Sequence, residues 1–241
     1  MTFKIRTFKF RMLISRILSS RMLFFRFCFV LIFGGCLIGR FSGIPSMAWA
    51  EKTHTNILFL GDSITAGLGV ELENAYPALI DDMFNDMLKD MLEEKGPRVK
   101  IINGSISGST TAGALSRLKW FLKVKPDILV LALGANDGLR GLSTHEMSQN
   151  LERTIILAKE NGIRVILAGM QIPPNYGQAY SKAFREVFAL LADRHDLAFI
   201  PFLLKEVAGN PLLNQADGIH PNRAGHKIIA ETVFPYLQAQ L

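Results

Sequence analysis

Ser63 follows Gly61 and Asp62, where the apolar run at residues 57–60 gives way to a glycine-bounded turn. A buried strand that breaks in this way presents the next side chain at the carboxyl edge of a parallel sheet, where open α/β folds hold their ligands. Near the far end of the chain, Asp217 and His220 stand three residues apart in Asp217-Gly218-Ile219-His220. That spacing lets a carboxylate turn back to Nδ1 of the imidazole and leaves Nε2 free for a third group. Two more polar loops lie between, one running from Asn103 through Gly108 to Thr111 and the other Gly134-Ala135-Asn136-Asp137-Gly138. The first is rich in Gly, Ser and Thr and suits the presentation of backbone N–H groups. A hydroxyl nucleophile, an imidazole to take its proton, a carboxylate to orient the ring and donors for an oxyanion are the parts of acyl transfer. The same residues have plainer readings. Gly-Asp-Ser is also an ordinary strand-ending turn, and His220 beside Pro221 an ordinary helix start. Asp62, Asp217 and His220 together can also hold a metal for phosphodiester hydrolysis.

The intervening sequence must bring these loops to one place. From residue 56 onward strand-like and helix-like segments alternate, which predicts an α/β domain on a parallel sheet. Strands are expected at 56–60, 99–102, 128–133, 164–170 and 197–200, and helices at 76–95, 112–124, 144–161, 178–194 and 222–237. Five strands with helices between them make a three-layer α/β/α sandwich of flavodoxin-like type. Ser63, Gly108, Asn136 and the Asp217–His220 pair then all follow strand ends and converge on one edge. In the 76–95 helix Leu79, Ile80, Met83, Phe84, Met87, Leu88, Met91 and Leu92 recur at three-four spacing. Such a stripe is either core, which Met fills readily, or a surface for acyl chains or a partner. Gly138 and Gly141 flank a loop next to Asn136, which suggests a lid.

Residues 1–50 stand apart. They carry eight Lys or Arg, no acidic residue, an apolar run at 27–38 and Ala48-Trp49-Ala50, a small-x-small cleavage pattern. This is the layout of a secretory signal peptide cut after Ala50, with Met12 or Met22 as alternative starts. Twelve apolar residues fall short of the roughly 20 that cross a bilayer, so an uncleaved anchor is the lesser reading. The domain expected to remain, 51–241, is exported to the periplasm or medium. The whole chain holds 27 basic and 21 acidic residues; without those eight basic ones 19 face 21, a net charge near −2. The positive charge therefore belongs to the leader and argues against a nucleic-acid partner. Both cysteines, Cys28 and Cys36, leave with it, so neither a disulfide nor a thiol nucleophile is expected. The other histidines, His54, His145, His195 and His226, show no paired metal-ligand spacing.

Gly61-Asp62-Ser63, Gly108 in its Ser-x-Ser-Gly loop, Gly-x-Asn-Asp at 134–137 and Asp-Gly-Ile-His at 217–220 resemble, in order, the four blocks of the SGNH (GDSL-type) hydrolases. The stretches 107–108, 136–141, 174–177 and 217–222 are similar to the exported acyl-CoA thioesterase I/lysophospholipase/arylesterase branch. The resemblance implies Ser63 as nucleophile, His220 as general base and then acid, and Asp217 as the carboxylate behind it. It further implies an oxyanion hole made by the N–H groups of Ser63 and Gly108 and the side-chain amide of Asn136. Asp62 is expected to shape the turn, since a second carboxylate beside the nucleophile would oppose developing negative charge. The expected substrates are small acyl esters or thioesters, lysophospholipids and aryl esters among them, handled by a monomer with no cofactor and no metal, in peripheral contact with lipid. A non-catalytic lipid- or glycan-binding protein on the same scaffold is the alternative. The chain departs from the branch in Ala135, where Gly is common, and in a longer 76–95 helix.

Overall fold

The computed structural model describes residues 54–90 and 98–241; the expected signal peptide and the last turn of the expected 76–95 helix lie outside them. The five strands are β1 (Thr55–Gly61), β2 (Val99–Asn103), β3 (Ile128–Ala132), β4 (Arg164–Ala168) and β5 (Ala198–Ile200). All pair in parallel in the order β2-β1-β3-β4-β5, which is the flavodoxin-like order. Leu58, Phe59, Leu60 and all of β3 are fully or almost fully buried, each large side chain contributing about 1.5–3 kcal/mol. The edge strands are poorer: β2 is only half-buried and β5 has three residues. Pairing sets Gly61 beside Ala132 and Phe59 beside Asn103. The ends of β1, β2 and β3 are thereby in step, and their following loops leave from one edge.

The long helices are α2 (Tyr76–Asp90), α5 (Thr144–Glu160), α6 (Gln178–His195) and α7 (Arg223–Gln238), with the shorter α3 (Ala114–Phe121) after β2. Right-handed crossovers from β1 leftward and from β2 rightward put α2 on one face and α3, α5 and α6 on the other. The helix contacts agree: α2 packs on α7, while α5 packs on both α3 and α6. Ser143 caps α5 by accepting from the Glu146 N–H at 3.3 Å, and Asn222 caps α7 through the N–H groups of Ala224 and Gly225. On α2, Ile80 and Phe84 are buried while Leu79, Met83 and Met87 are partly buried against the core. The Phe84 ring meets Phe234 of α7 at 4.7 Å. As far as it is described, the methionine stripe packs inward.

Two expected turns are helical. Ser63–Ala66 forms α1 and Ala135–Leu139 forms α4. The expected helix at 112–124 divides into a 3₁₀ turn at Thr111–Gly113, then α3, then a second 3₁₀ turn at Leu122–Val124. Ala135 is the first residue of α4 and is buried, so its methyl fits.

Candidate active site

The turn that bears Ser63 is shaped by close packing. A Cβ on Gly61 would lie 2.1 Å from Thr65 Oγ1 and 2.4 Å from its Cβ, so only glycine ends β1 here. Asp62 Oδ1 then accepts the Ile64 N–H at 3.1 Å and starts α1, with Ser63 as its first residue. Neighbouring elements brace the turn. Ser105 Oγ accepts the Gly61 N–H at 2.9 Å, Asn103 Nδ2 donates to Thr65 O at 2.9 Å, and Arg117 Nη2 donates to the carbonyls of Gly61 and Gly104. Ser63 itself is 8% exposed.

His220 meets Ser63 from the opposite end of the chain. Its Nε2 lies 2.9 Å from Ser63 Oγ, and its Nδ1 lies 2.7 Å from Asp217 Oδ2. The carboxylate fixes the tautomer: Nδ1–H donates to Asp217, leaving Nε2 to accept the serine proton. Asp217 Oδ1 accepts the N–H groups of Ile219 and His220 at 2.9 and 3.0 Å. The backbone and ring N–H of His220, then the Ile219 N–H, pull the Asp217 carboxyl down to about 2. It is therefore charged at neutral pH. Gln215 locks this loop, its N–H donating to His220 O at 2.8 Å and its amide to Leu68 O at 2.7 Å and Pro221 O at 2.9 Å.

Gly108 has φ 76, and a Cβ there would meet only Arg140, at 3.7 Å. Here glycine is required for conformation, not for space. Arg140 Nη2 donates to Gly108 O at 2.9 Å, and Asn136 Nδ2 donates to Ser109 O at 3.1 Å. That bond uses one amide hydrogen of Asn136 and leaves the second available. Buried Asp137 accepts the Thr111 N–H at 2.9 Å and the Thr111 hydroxyl at 2.6 Å, tying the Gly108 loop to α4. Among the described residues the N–H groups of Ser63 and Gly108 donate to no protein acceptor. The structure thus joins Ser63, His220 and Asp217 in one hydrogen-bonded chain and ties Asn136 to the Gly108 loop through Ser109. Arg117 and Asp137 complete the framework; sequence reasoning gave neither a task. Asp137 had a signal, standing directly after Asn136. Arg117 had none, because the carbonyls it holds are 13 and 56 residues away.

Asp62 is buried and, among the described residues, its Oδ2 has no protein partner. Burial pushes its carboxyl up to about 6, against the Ile64 N–H and the charge of His220. Arg117 Nε and Nη1 are likewise buried without partners among the described residues, and burial lowers that guanidinium while Asp62 opposes the shift. Below α1, Thr65 Oγ1 and Tyr76 Oη lie 3.0 Å apart, and the Tyr76 N–H donates to His226 Nδ1 at 3.3 Å. Burial, then the charge of His220, pushes His226 down to about 4, so it is neutral and structural. The loop expected as a lid is pinned: Tyr176 and Tyr180 hydroxyls donate to Leu139 O and Leu142 O at 2.9 and 2.7 Å. Gly138 faces Ile172 and Phe184 too closely for a Cβ, a packing role. Among the described residues no group of three or more His, Cys, Asp or Glu is placed to hold a metal ion.

Residues 59–228 match the model of the GDSL-like lipase/acylhydrolase family. The chain is 40% identical to the esterase TesA of Pseudomonas aeruginosa over 192 residues, 79% of this chain and 92% of that one. It is 34% identical to thioesterase 1/protease 1/lysophospholipase L1 of Escherichia coli, covering 76% and 83% of the two chains. Among solved structures, the psychrotrophic esterase EstA from Pseudoalteromonas, inhibited by monoethylphosphonate, superposes with TM-score 0.70 at 31% identity, over 77% of this chain and 97% of that one. Its strand order, its four blocks and these relatives agree: the chain belongs to the GDSL-like lipase/acylhydrolase family.

Proposed function

We propose that the protein hydrolyses carboxylic esters and thioesters through an acyl-enzyme on Ser63. One observation carries the reading, the hydrogen-bond chain from Asp217 through His220 to Ser63 Oγ. As Ser63 Oγ bonds to the substrate carbonyl carbon, its proton passes to His220 Nε2. Asp217 stabilises the resulting imidazolium without taking the proton. The tetrahedral oxyanion is held by the N–H groups of Ser63 and Gly108 and by the free amide hydrogen of Asn136. Collapse breaks the bond to the alcohol or thiol, which leaves with the proton from His220. Water then gives a proton to His220 and attacks the acyl carbon, and the acid departs as Ser63 recovers its hydrogen. Both Asp217 oxygens are engaged by N–H donors, so the metal-dependent phosphodiesterase reading gains no support.

Acyl thioesters, lysophospholipids and aryl esters are the substrate classes, handled by a monomer. Residues 1–50 act as an export signal, which delivers 51–241 to the periplasm or the medium. No described helix is long and apolar enough to cross a membrane. Hydrolysis of p-nitrophenyl esters, acyl thioesters and lysophospholipids, each with Ser63→Ala alongside, tests the reading. Turnover of at least one class that vanishes in the variant is expected. Turnover that survives Ser63→Ala would overturn it, as would the absence of turnover on all three.

A further inference from the structure

Ten large apolar side chains are exposed among the described residues. Six of them sit in loops that leave the carboxyl ends of strands: Leu68 and Leu72 after β1, Ile106 after β2, Leu142 after β3, Leu212 and Ile219 after β5. The strands are parallel, so these loops share one edge with Ser63. The other four are scattered over α3, α5, α6 and the carboxyl terminus, as isolated surface residues commonly are.

Sequence, packing and main-chain hydrogen bonds place the backbones of the six on two sides of the Ser63–His220 pair. Ile219 lies between Asp217 and His220, Leu68 O accepts from Gln215, and Leu212 O accepts from Asn222 at 2.9 Å. Leu72 belongs to the 3₁₀ turn Leu72–Asn74 that packs on α7. These four lie on the histidine's own loop, on a segment bonded to it, or on the turn packed against the helix that follows it. On the oxyanion side the Ile106 N–H donates to Gly61 O at 3.2 Å and the Leu142 N–H to Asp137 O at 2.9 Å. A rim of this kind marks a surface that meets something apolar.

We infer that this collar seats the mouth of the active site on a lipid–water interface and draws acyl substrate from it. The inference rests on the proposed ester hydrolysis. A lipid surface suits the collar better than a protein does, because a protein seated there would close the cleft through which the substrate must enter. Once residues 1–50 are removed the net charge is near −2, so attachment is apolar and needs no anionic lipid.

Leu212 and Leu72 are the most exposed of the six, at 81% and 76%. The test compares the wild type with the double variant Leu72→Ser/Leu212→Ser, both produced from the full sequence and recovered after removal of residues 1–50. Flotation with phosphatidylcholine vesicles, done in the Ser63→Ala background so that no lipid is consumed, should show partitioning weakened on the order of 100-fold. With Ser63 intact, kcat/KM on a long-chain ester held in the vesicles should fall by a similar factor. Activity on a short, soluble ester and the Tm should be unchanged. Equal flotation and equal turnover in vesicles would overturn the inference, and so would a wild type that ignores vesicles. A wild-type dimer that the variant abolishes, without vesicle binding, would assign the collar to self-association instead. Flotation needs no catalysis, so a failure of the collar and a failure of Ser63 chemistry read out separately.

Discussion

The turn that carries Ser63 is buried and braced from a distance, whereas the loop that carries His220 is exposed and braced mainly by its own bonds, with one long-range tie from Gln215 to Leu68 O. Gly61 is held by Ser105 and Arg117, which lie 44 and 56 residues away. Asp217 grips residues two and three positions on, and Gln215 holds the carbonyls of His220 and Pro221. The Asp217 side chain is 45% exposed, yet its oxygens are better satisfied than those of buried Asp62. Rigidity at an exposed site comes from local hydrogen bonds, and at a buried one from packing contributed by several elements. A nucleophile gains from burial, which excludes water from the oxyanion. A base that exchanges protons with a leaving group and with water gains from access.

The largest effects should come from cutting the contact between the two regions. Ser63→Ala and His220→Ala should each lower kcat on the order of 10⁶-fold, and the double variant should be no worse, because the pair acts as a unit. Additive losses would mean that the two act separately. Asn136→Ala should cost about 10²–10³ in kcat with KM little changed; an unchanged kcat would remove its amide from the oxyanion site.

Stability separates the regions next. Asp62 has its folded pKa raised from 3.8 to about 6. Its stability contribution is fully present below 3.8 and is lost as pH rises through about 6, where the buried carboxylate must ionise. Asp62→Asn keeps an acceptor for Ile64 and escapes that loss. Its advantage should grow across this window and reach roughly 3 kcal/mol above it. Denaturant unfolding at pH values on both sides of the window measures this, and a pH-independent difference would refute the cause given. Smallest is the glycine contrast. Gly61→Ala should cost roughly 1–3 kcal/mol by overpacking, while Gly218→Ala, strained only by its φ of 70 with open space around it, should cost about 1 kcal/mol. Equal losses in paired melts would erase the distinction between packing and conformation.

The same contrast explains what was legible in the sequence. The Asp217–His220 pair and the turn between them are bonded within a few residues, so that part of the chemistry can be read from spacing alone. Strands β1 and β3 declare themselves by continuous apolar runs, and five strands alternating with helices point to the flavodoxin-like arrangement. The short helices α1 and α4 were missed because four or five residues carry no period; their starts depend on the Asp62 cap and on Gly134 at φ 129. Arg117 is invisible for a different reason. One cation among several on an amphipathic helix reads as solvated until the sheet brings Gly61 and Gly104 to it. Gly138 looked like a hinge from its type, and only the approach of Ile172 and Phe184 shows it as a packing residue.

The measurement that bears most directly on the central claim is covalent labelling by a fluorophosphonate, followed by mass spectrometry of the modified peptide. The account predicts one adduct per chain, on Ser63, absent in Ser63→Ala and greatly slowed in His220→Ala. Labelling that persists in Ser63→Ala, or that proceeds at full rate without His220, would contradict it.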